Sequence, residues 1–323
     1  MKRLFAFVLF AALLLCLPAG CSPAPETPDA PLRVGGMTGP TSMGMVRIME
    51  DCDAGASAVD CTFTVAASAD VLTPAFMQGE LDVIAVPVNL ASILYHRLEG
   101  DVRLLAVNSL GVLYVVDKNA PVASFADLKG RTVYATGKGS TPEYSLRHLL
   151  RQNGLDPDRD VTLEFKSEPA EIVSLLASAE SAVAMLPQPY VTAAKGQVPE
   201  LSVDLSLADE WAVKDPGAEM ITGVLICRGT FAEAHPEQIR AFIDAYEESA
   251  AYVNAHVEEA ASLIDKFGIA KEAVARAALP DCNVVCLRGE EMAEPVRAYL
   301  SVLMEADPVC VGGSLPGDDF YYE

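Results

Sequence analysis

The sequence predicts an α/β protein made of two lobes of similar build that are joined by two long crossover strands. First, short β-rich runs alternate with helical stretches from residue 32 onward. Second, the alternation restarts after a long apolar strand at 111–119, and another such strand lies at 218–229. Third, segment 78–89 resembles segment 178–189. Two Rossmann-like lobes account for all three observations.

The first series gives the elements of the first lobe in order. Its β-rich runs lie at 32–36, 61–67, 82–86 and 102–107, and its helical patterns lie at 40–51, 70–79 and 89–100. The second series continues with β-rich runs at 131–136, 161–166 and 182–186, and with helical patterns at 140–154, 168–180 and 188–196. The remainder is mostly helical. We therefore assign 32–115 and 222–323 to lobe 1 and 116–221 to lobe 2.

The composition indicates a globular chain. Its 323 residues are 51% hydrophobic and 21% charged, and this length suits two domains. The formal net charge of −22 argues against nucleic acid as a partner, because phosphates require clustered basic side chains. The charge does not identify a ligand, since a local pocket can oppose it. We interpret it as a contribution to solubility.

The N-terminus has the pattern of an export signal. A basic head is followed by the apolar run 4–17, which is short for a membrane span, and then by small residues before Cys21. This pattern predicts a signal peptide at 1–20 and a lipoprotein with Cys21 as its lipidated first residue. Pro18 stands where such signals usually have Leu, so plain secretion is the alternative. Residues 21–31 read as a lipidated Pro-rich tether, so the membrane contact would be through the lipid anchor alone.

Six cysteines remain after the signal and the lipidation site. An exported chain permits disulfides, and Cys52 and Cys61 lie at a predicted helix end and the start of the next strand. We expect a disulfide there, and a second one among three further cysteines. These candidates are Cys282, Cys286 and Cys310. Cys227 lies in an apolar strand and is interpreted as a buried free thiol. The cysteine spacing does not suit zinc, and we expect no metal.

Two turns of similar composition lie at corresponding places in the two lobes. Segment 34–42 and segment 134–142 each run from a strand through glycines, hydroxyl side chains and a proline into a helix. The carboxyl ends of strands are where open α/β sheets bind ligands. If the lobes face each other, both turns line one cleft. As isolated motifs, the same hydroxyl residues are ordinary helix caps.

Segment 124–157 and the run 184–194 carry a family resemblance. The Asp127–Gly130 stretch "DLKG" before a strand, the turn at 139–140 and the "NGL" at 153–155 are similar to substrate-binding proteins of ABC importers of the nitrate, sulfonate and bicarbonate type, including taurine-type members. Gln188 replaces the usual Glu of the family's Leu-Pro-Glu-Pro run, and Ala179 and Ala182 replace the usual Gly and Asp.

The resemblance spans about residues 32–305 and implies the two-lobed type 2 periplasmic-binding fold. It also implies an extracytoplasmic, cell-membrane lipoprotein that binds a small anionic or polar organic solute and docks, as a monomer without a cofactor, on an ABC permease and its ATPase. The family's ligands include sulfonates, inorganic anions and pyrimidine-type molecules, so the resemblance leaves the ligand open.

The expected ligand site combines the two turns with the residues that follow the strands. Each helix start carries partial positive charge from its unpaired N–H groups, which favours an anionic or electronegative head group. Lys138 is either a ligand contact or a solvated loop lysine. The candidate residues are Met37, Thr38, Gly39, Pro40, Thr41, Ser42, Pro87, Val88, Asn89, Asn108, Lys138, Gly139, Ser140, Thr141, Gln188, Tyr190 and Thr222.

Two other functions compete with that of an importer's binding protein. A ligand sensor would need a separate signalling chain. An enzyme resembling the pyrimidine synthase of fungal thiamine synthesis shares the fold, but that enzyme's histidine and cysteine-rich motif are not visible here. The four histidines at 96, 148, 235 and 256 all fall in helices or helix starts away from the turns, and we expect two to four of them to be exposed. No catalytic triad can be proposed at the strand ends, so we expect a binding protein and not an enzyme.

Overall fold

A computed structural model describes residues 30–323 as one compact unit from Pro31 to Glu323. The predicted signal peptide, Cys21 and nearly all of the tether lie outside the described residues. Within the described part, none of the helices has both the length and the apolar composition that a bilayer span requires.

The first lobe is built on a six-stranded mixed sheet. Its strands are β1 (Leu32–Met37), β2 (Cys61–Ala66), β3 (Val83–Pro87), β4 (Arg103–Leu110), β10 (Ile221–Cys227) and β11 (Val284–Leu287). The order across the sheet is β11-β4-β10-β3-β1-β2. Strand β1 pairs in parallel with β2 and β3, whereas β10 runs antiparallel between β3 and β4.

The second lobe is built on a five-stranded mixed sheet. Its strands are β5 (Leu113–Lys118), β6 (Thr132–Ala135), β7 (Thr162–Phe165), β8 (Ala182–Pro187) and β9 (Leu201–Ser206). The order is β7-β6-β8-β5-β9, with β5 antiparallel to both of its neighbours. Each lobe therefore has one inner antiparallel strand, and the predicted two-lobed α/β fold is confirmed.

Thirteen α-helices of the described residues cover the two sheets. Those before β9 are α1 (Pro40–Met43), α2 (Val46–Asp53), α3 (Ala69–Met77), α4 (Val88–Arg97), α5 (Thr141–Gln152), α6 (Pro169–Ser178) and α7 (Tyr190–Gln197). Those after β9 are α8 (Leu207–Lys214), α9 (Gly229–Ala234), α10 (Pro236–Ala255), α11 (Val257–Lys266), α12 (Glu272–Ala278) and α13 (Glu290–Ala306). Short 3₁₀ turns include Leu279–Asp281 and Pro308–Val311.

The two predicted crossover strands each belong to a single sheet. The chain crosses at residues 111–112, between β4 and β5, and it returns after β9 through 207–220. The predicted lobe boundary after residue 115 cuts through β5, although all of β5 pairs within the second sheet. An apolar run predicts a buried strand, but the ladder hydrogen bonds decide which sheet takes it.

The predicted helix at 40–51 is two helices in the structure. Helix α1 is a single turn, and α2 begins after Gly44 and Met45. At Gly44 the chain passes close to another helix, since a Cβ there would lie 2.6 Å from the hydroxyl of Tyr246. The packing of α10 against this bend thus separates α1 from α2.

Three hydrophobic clusters form the core. One covers a face of the first sheet beneath α2, α10 and α11, and one covers a face of the second sheet beneath α6 and α7. The largest cluster is shared by the lobes, because it joins Val86 and Val224 of the first sheet to Val115 and Met185 of the second. The lobes are therefore packed together on one side.

The predicted disulfides are absent from the structure. All six cysteines at 52, 61, 227, 282, 286 and 310 have free thiols, so the expected Cys52–Cys61 bridge and the second bridge among Cys282, Cys286 and Cys310 are corrected. Cys52 donates a hydrogen bond to the carbonyl of Val59 at 3.5 Å. Cys282 and Cys310 are buried at separate places in the core clusters, where each packs as a small apolar side chain.

The C-terminal segment packs on lobe 1. Phe320 is fully buried, and the N–H of Tyr322 donates to the carbonyl of Leu104 in β4 at 3.0 Å. Ser92 of α4 donates to the carbonyl of Val311 at 2.6 Å. The aromatic residues at the C-terminus thus tie the end of the chain to the first sheet.

Candidate functional site

The turn after β1 is stabilised from within the lobe. Gly39 has φ 123° and ψ −160°, a conformation that favours glycine, and it brings the chain from β1 into α1. The N–H of Thr38 donates to the carbonyl of Ala66 at 2.9 Å, and the N–H groups of Ser42 and Met43 donate to the carbonyl of Gly39 at 3.1 Å. Three of the N–H groups expected to face a ligand are therefore bonded within the fold.

Side chains at this edge of lobe 1 contain polar atoms without partners. The Nδ2 of Asn108 donates to the carbonyl of Thr41 at 3.0 Å, which leaves the Oδ1 of Asn108 as an acceptor with no donor. The Oγ of Ser42 and the Oγ1 of Thr222 are also buried without a partner. The fourth such atom of the described residues is the Nε1 of Trp211. Three of the four thus belong to residues that the sequence placed in the site.

Gly223 lets these groups come together. A Cβ at this position would lie 2.6 Å from the Oδ1 of Asn108 and 2.7 Å from the methyl of Thr41, so a side chain would not fit. Gly223 also pairs with Pro87 in the ladder between β10 and β3. The ends of β3, β4 and β10 and helix α1 therefore meet at one place on the lobe edge.

The corresponding turn of lobe 2 is occupied by its own side chains. The N–H of Gly139 donates to Oε2 of Glu143 at 2.7 Å, and the hydroxyl of Ser140 donates to the carbonyl of Gly137 at 2.9 Å. Glu143 also accepts from Arg147 at 2.8 Å. A carboxylate already stabilises this helix start. Gly139 and Ser140 therefore already have partners and Lys138 is exposed, while the anion site expected at 139–140 stays a prediction.

Asn89 and Thr141 bind each other instead of facing an open cleft. The hydroxyl of Thr141 donates to Oδ1 of Asn89 at 3.0 Å, and Nδ2 of Asn89 donates to the carbonyl of Cys310 at 3.1 Å. Both side chains are fully buried. The bond joins α5 of lobe 2 to α4 of lobe 1, so these two predicted ligand contacts are lobe-to-lobe contacts in the structure.

A cavity of about 400 Å³ lies between the lobes beside Gln188. Its lining residues come from β5, α7 and β9 of lobe 2 and from residues 277 and 281 of lobe 1. They are Tyr114, Gln188, Val191, Thr192, Lys195, Val203, Ala277 and Asp281. Desolvation, together with the charges of Asp281 and Asp209, raises the pKa of Tyr114. The cavity thus combines a cation from lobe 2 with a carboxylate from lobe 1.

Gln188 both lines the cavity and caps α7. Its Oε1 accepts from the hydroxyl of Thr192 at 2.9 Å and from the N–H of the same residue at 3.3 Å. Gln188 therefore stabilises the start of the next helix, and its role as a ligand contact stays a prediction. Thr192 and Lys195 are three residues apart and share one face of α7, and Gln188 lies just before that helix.

The other candidates divide between backbone and packing positions. Met37 and Thr38 are half-buried at the end of β1, while Pro40, Pro87 and Val88 are buried where α1 and α4 begin. Tyr190, the first residue of α7, is half-buried. None of these brings a further buried polar atom without a partner to the site, within the described residues.

Several cavity residues were missed from the sequence. Thr192 and Lys195 could have been found from their helical spacing after Gln188. Tyr114 has no local signal, and Ala277 and Asp281 are more than 70 positions beyond the lobe 2 residues that they face. Only the folded chain brings them together.

The histidines and the single tryptophan lie away from this cavity. His148 is buried, and its Nε2 lies 2.7 Å from Oδ2 of Asp215, whereas His96 and His235 are partly exposed and His256 is exposed. Helix α5 is pressed against the return connection at this point. Trp211 is fully buried between His148 and Tyr299. No group of three or more potential metal ligands occurs within residues 30–323.

Comparison with known proteins finds sequence similarity to one family and to curated binding proteins over about half of the chain. The family described as NMT1/THI5 like matches residues 102–260. A curated protein of Brucella abortus (strain 2308) that is named as a binding protein is 26% identical over 168 residues, which are 52% of this chain and 50% of that protein. The match thus spans about half the length of the curated relatives.

Comparison of structures extends the likeness to both lobes. An ABC transporter protein from Parabacteroides distasonis has a TM-score of 0.75 and 20% identity, with 91% of this chain and 99% of that chain covered. The periplasmic aliphatic sulphonate binding protein of Escherichia coli has a TM-score of 0.72 and 18% identity, with 91% and 92% covered. At such identities the likeness establishes the fold, which is that of type 2 periplasmic-binding proteins.

Proposed function

Because the chain carries an NMT1/THI5-like region within the fold of ABC-transporter binding proteins, we propose that it is the extracytoplasmic substrate-binding component of an ABC importer. It captures a small polar organic solute between its lobes and presents it to a permease with its ATPase. The names of the related proteins describe binding proteins and transporters, which agrees with the expectation of a binding protein over an enzyme.

The observation that carries this proposal is the set of partnerless polar atoms at the edge of lobe 1. A buried donor or acceptor without a partner costs about 1 to 3 kcal/mol. Here Ser42 of α1, Asn108 of β4 and Thr222 of β10 each have one such atom, and these elements meet at the edge where open α/β sheets bind ligands. A bound solute that supplies the missing partners would recover that free energy, and the arrangement is therefore built for a ligand.

The chemistry of these atoms restricts the ligand. Because the carbonyl of Thr41 can only accept, Asn108 presents its amide NH₂ to that carbonyl and its Oδ1 to the site. An Oδ1 atom requires a donor, whereas the hydroxyls of Ser42 and Thr222 can donate or accept. A simple oxyanion such as nitrate has no donor. We propose a small organic solute with an N–H or O–H donor at one end, and with an anionic or strongly electronegative group that Lys195 can approach.

Titration tests the ligand class. Native mass spectrometry first identifies any molecule retained by the purified protein, and calorimetry then compares taurine, ethanesulfonate and nitrate. We expect taurine to bind at least tenfold more tightly than ethanesulfonate, which lacks the amino donor, and nitrate to bind most weakly. Nitrate as the tightest ligand would overturn the ligand class. Failure of all three, with no retained molecule, would overturn the binding function.

Export and lipidation complete the proposal. The basic head, the apolar run 4–17 and Cys21 support a lipid anchor on the extracytoplasmic face. We expect Cys21→Ala to leave the membrane fraction and appear as soluble exported protein. A variant that stays in the membrane with an uncleaved signal would contradict the lipoprotein assignment without affecting the ligand site.

A further inference from the structure

Strand β2 forms one outer edge of the first sheet. It pairs in parallel with β1 along its whole length, from Cys61 to Ala66, without a register shift. The N–H of Thr38, just after β1, donates to the carbonyl of Ala66 at 2.9 Å. At the other end of the ladder, the N–H of Leu32 donates to the carbonyl of Asp60 at 2.8 Å. The even-numbered residues of β2 therefore direct their backbone groups towards β1.

The odd-numbered residues of β2 direct their backbone groups away from the sheet. Within residues 30–323, no hydrogen bond involves the N–H or the carbonyl of Cys61, Phe63 or Val65. The side chains of Thr62 and Thr64, between them, are exposed. The outer edge of β2 thus presents three donors and three acceptors that are ready to pair with another strand.

The other three sheet edges of the described chain are protected against such pairing. Helix α10 covers β11, because Asn254 donates to the carbonyl of Val284 at 2.8 Å. Strand β7 has the exposed Glu164 in its interior, and β9 has Asp204 at a register shift. Charges, bulges and covering elements are the usual devices that keep edges from pairing. By contrast, residues 61–69 contain no charged residue and no proline.

We propose that the free edge of β2 is an interaction surface for a second copy of this chain, with the two β2 strands antiparallel about a two-fold axis at Phe63. In that register Phe63 lies opposite Phe63 of the second copy, and Cys61 lies opposite Val65. All three pairs are of the hydrogen-bonded kind, in which the two residues exchange both N–H···O=C bonds. The first sheets of the two copies then form one continuous sheet.

The side chains and charges of β2 suit pairing with itself. Thr62 of each copy lies opposite Thr64 of the other, and threonine pairs are favourable cross-strand neighbours. Asp60 lies opposite Ala66, so the acidic ends of the two strands do not face each other. In β7, pairing of the outward residues would place Glu164 opposite Glu164 of the other copy, which destabilises. A basic partner would gain no charge contact from an uncharged strand, although the chain carries −22.

The small size of the contact makes the expected dimer weak. Stable interfaces bury about 800 Å² on each partner, and a strand pair of this length covers less. The resemblance implies a monomer, so we expect a monomer in equilibrium with a dimer at high concentration. Strand β2 lies at the opposite end of the sheet from β11, whereas Ala277 and Asp281 of the cavity precede β11 in the chain. The inference therefore does not rest on the proposed function.

Sedimentation velocity of the purified protein tests the pairing. At physiological salt the screening length is about 8 Å, so distant charges repel little. We expect half of the wild-type chains to be dimeric near about 100 µM. The double variant Thr62→Lys with Thr64→Lys places like charges opposite each other, so its dissociation constant should rise at least tenfold.

The matched control is Thr162→Lys at an exposed position of β7, which should dimerise as the wild type does. A wild-type protein that stays monomeric up to about 300 µM would overturn the proposal. Equal weakening by the β7 change would overturn it as well.

Charge complementation separates strand pairing from loss of the fold. The double variant Thr62→Glu with Thr64→Glu should also be monomeric alone. Mixed with the lysine variant, it places opposite charges across the antiparallel pair, and we expect mixed dimers at least tenfold tighter than either variant with itself. Absence of mixed dimers, while both variants keep wild-type unfolding temperatures, would overturn the proposal. If either variant does not fold, the wild-type sedimentation decides, and failed solute titrations would leave that result standing.

Discussion

The turns at 34–42 and 134–142 have similar compositions and corresponding places in their lobes, yet their polar groups are bonded differently. The first sits among polar atoms without partners, at Ser42, Asn108 and Thr222. In the second, Gly139, Ser140 and Thr141 all have partners within the protein. The hydroxyl of Ser42 in the first turn therefore lacks a partner, whereas the same residue types in the second turn are bonded within the protein.

The difference arises from residues outside the two motifs. In lobe 2, Glu143 accepts a hydrogen bond from the N–H of Gly139 in the turn. Thr141 bonds Asn89 of the other lobe. Lobe 1 has no carboxylate in the first turn of α1, and Gly223 leaves space for Asn108 above the strand. Similar turns thus predict similar backbone paths, while the neighbours decide whether the polar groups are free for a ligand.

Among the variants that test the difference between the two turns, Gly223→Ala is expected to have the largest effect on affinity. Its Cβ would meet the Oδ1 of Asn108 at 2.6 Å and the methyl of Thr41 at 2.7 Å, so the lobe 1 edge must shift. Overpacking of this kind costs about 1 to 3 kcal/mol, and we expect taurine affinity to fall at least tenfold. Calorimetry measures the affinity and thermal unfolding the stability.

The control for this change is Gly196→Ala in α7. A Cβ there meets nothing within 4 Å, so affinity should stay within twofold of wild type and stability should hold or rise slightly. Wild-type affinity in Gly223→Ala would remove the lobe 1 edge from the site.

Two serine-to-alanine changes compare the turns directly. Ser42→Ala removes a buried hydroxyl without a partner, so we expect unfolding free energy to rise by up to about 1 kcal/mol while affinity falls about tenfold. Ser140→Ala removes a hydroxyl bonded to Gly137, so stability should fall by about 1 kcal/mol with affinity unchanged. Denaturant titration and calorimetry follow the two quantities. Equal effects of the two changes on affinity would mean that both turns bind the solute.

Two lysine variants test which lysine of lobe 2 contacts the bound solute. Lys195 lines the cavity, whereas Lys138 is exposed on the turn. We expect Lys195→Gln to weaken taurine binding about threefold to tenfold. The change removes a charge-assisted contact, and solvent screening at this exposed side chain limits the size of the loss. Lys138→Gln should change it by less than twofold. The reverse order would restore the turn at 138–141 to the site.

The smallest expected effect concerns a pair of carboxyl groups in lobe 2. Desolvation and a hydrogen bond with Asp117 raise the pKa of Asp204 from its ordinary 3.8 to about 6. A raised carboxyl pKa means that the folded protein binds the proton more tightly, so this contribution to stability is present below pH 4 and is lost as the pH rises through 6. Solvent screening of a half-buried pair keeps the change to about 2 kcal/mol or less.

Thermal unfolding between pH 4 and 7 measures this contribution. Asp204→Asn should be more stable than wild type at pH 7 and should lose part of the pH dependence. Taurine affinity should not change, since Asp117 and Asp204 lie in β5 and β9 and outside the cavity lining. Parallel pH profiles for the two proteins would show that the carboxyl groups do not share a proton.

The sequence by itself determined the fold class and much of lobe 1's edge. Alternating β-rich runs and amphipathic helices specify an α/β chain because each pattern buries one face. Thr41, Ser42, Asn108 and Thr222 were candidates because open α/β sheets bind ligands at the carboxyl ends of strands, and their contact with a ligand stays a prediction. Only the ladder hydrogen bonds fixed where the chain crosses between lobes, at 111–112 and 207–220, since apolar runs do not specify partners.

The tertiary structure alone decided which polar groups are free. Thr141 donates a hydrogen bond to Asn89 of the other lobe. Glu143 accepts a hydrogen bond from the N–H of Gly139, and His148 is buried beside Asp215. Tyr114 and Asp281 face one cavity although they are far apart in the chain. Each outcome depends on residues distant in sequence, and the cost of an unpaired buried group, about 1 to 3 kcal/mol, applies only once the chain has folded around it.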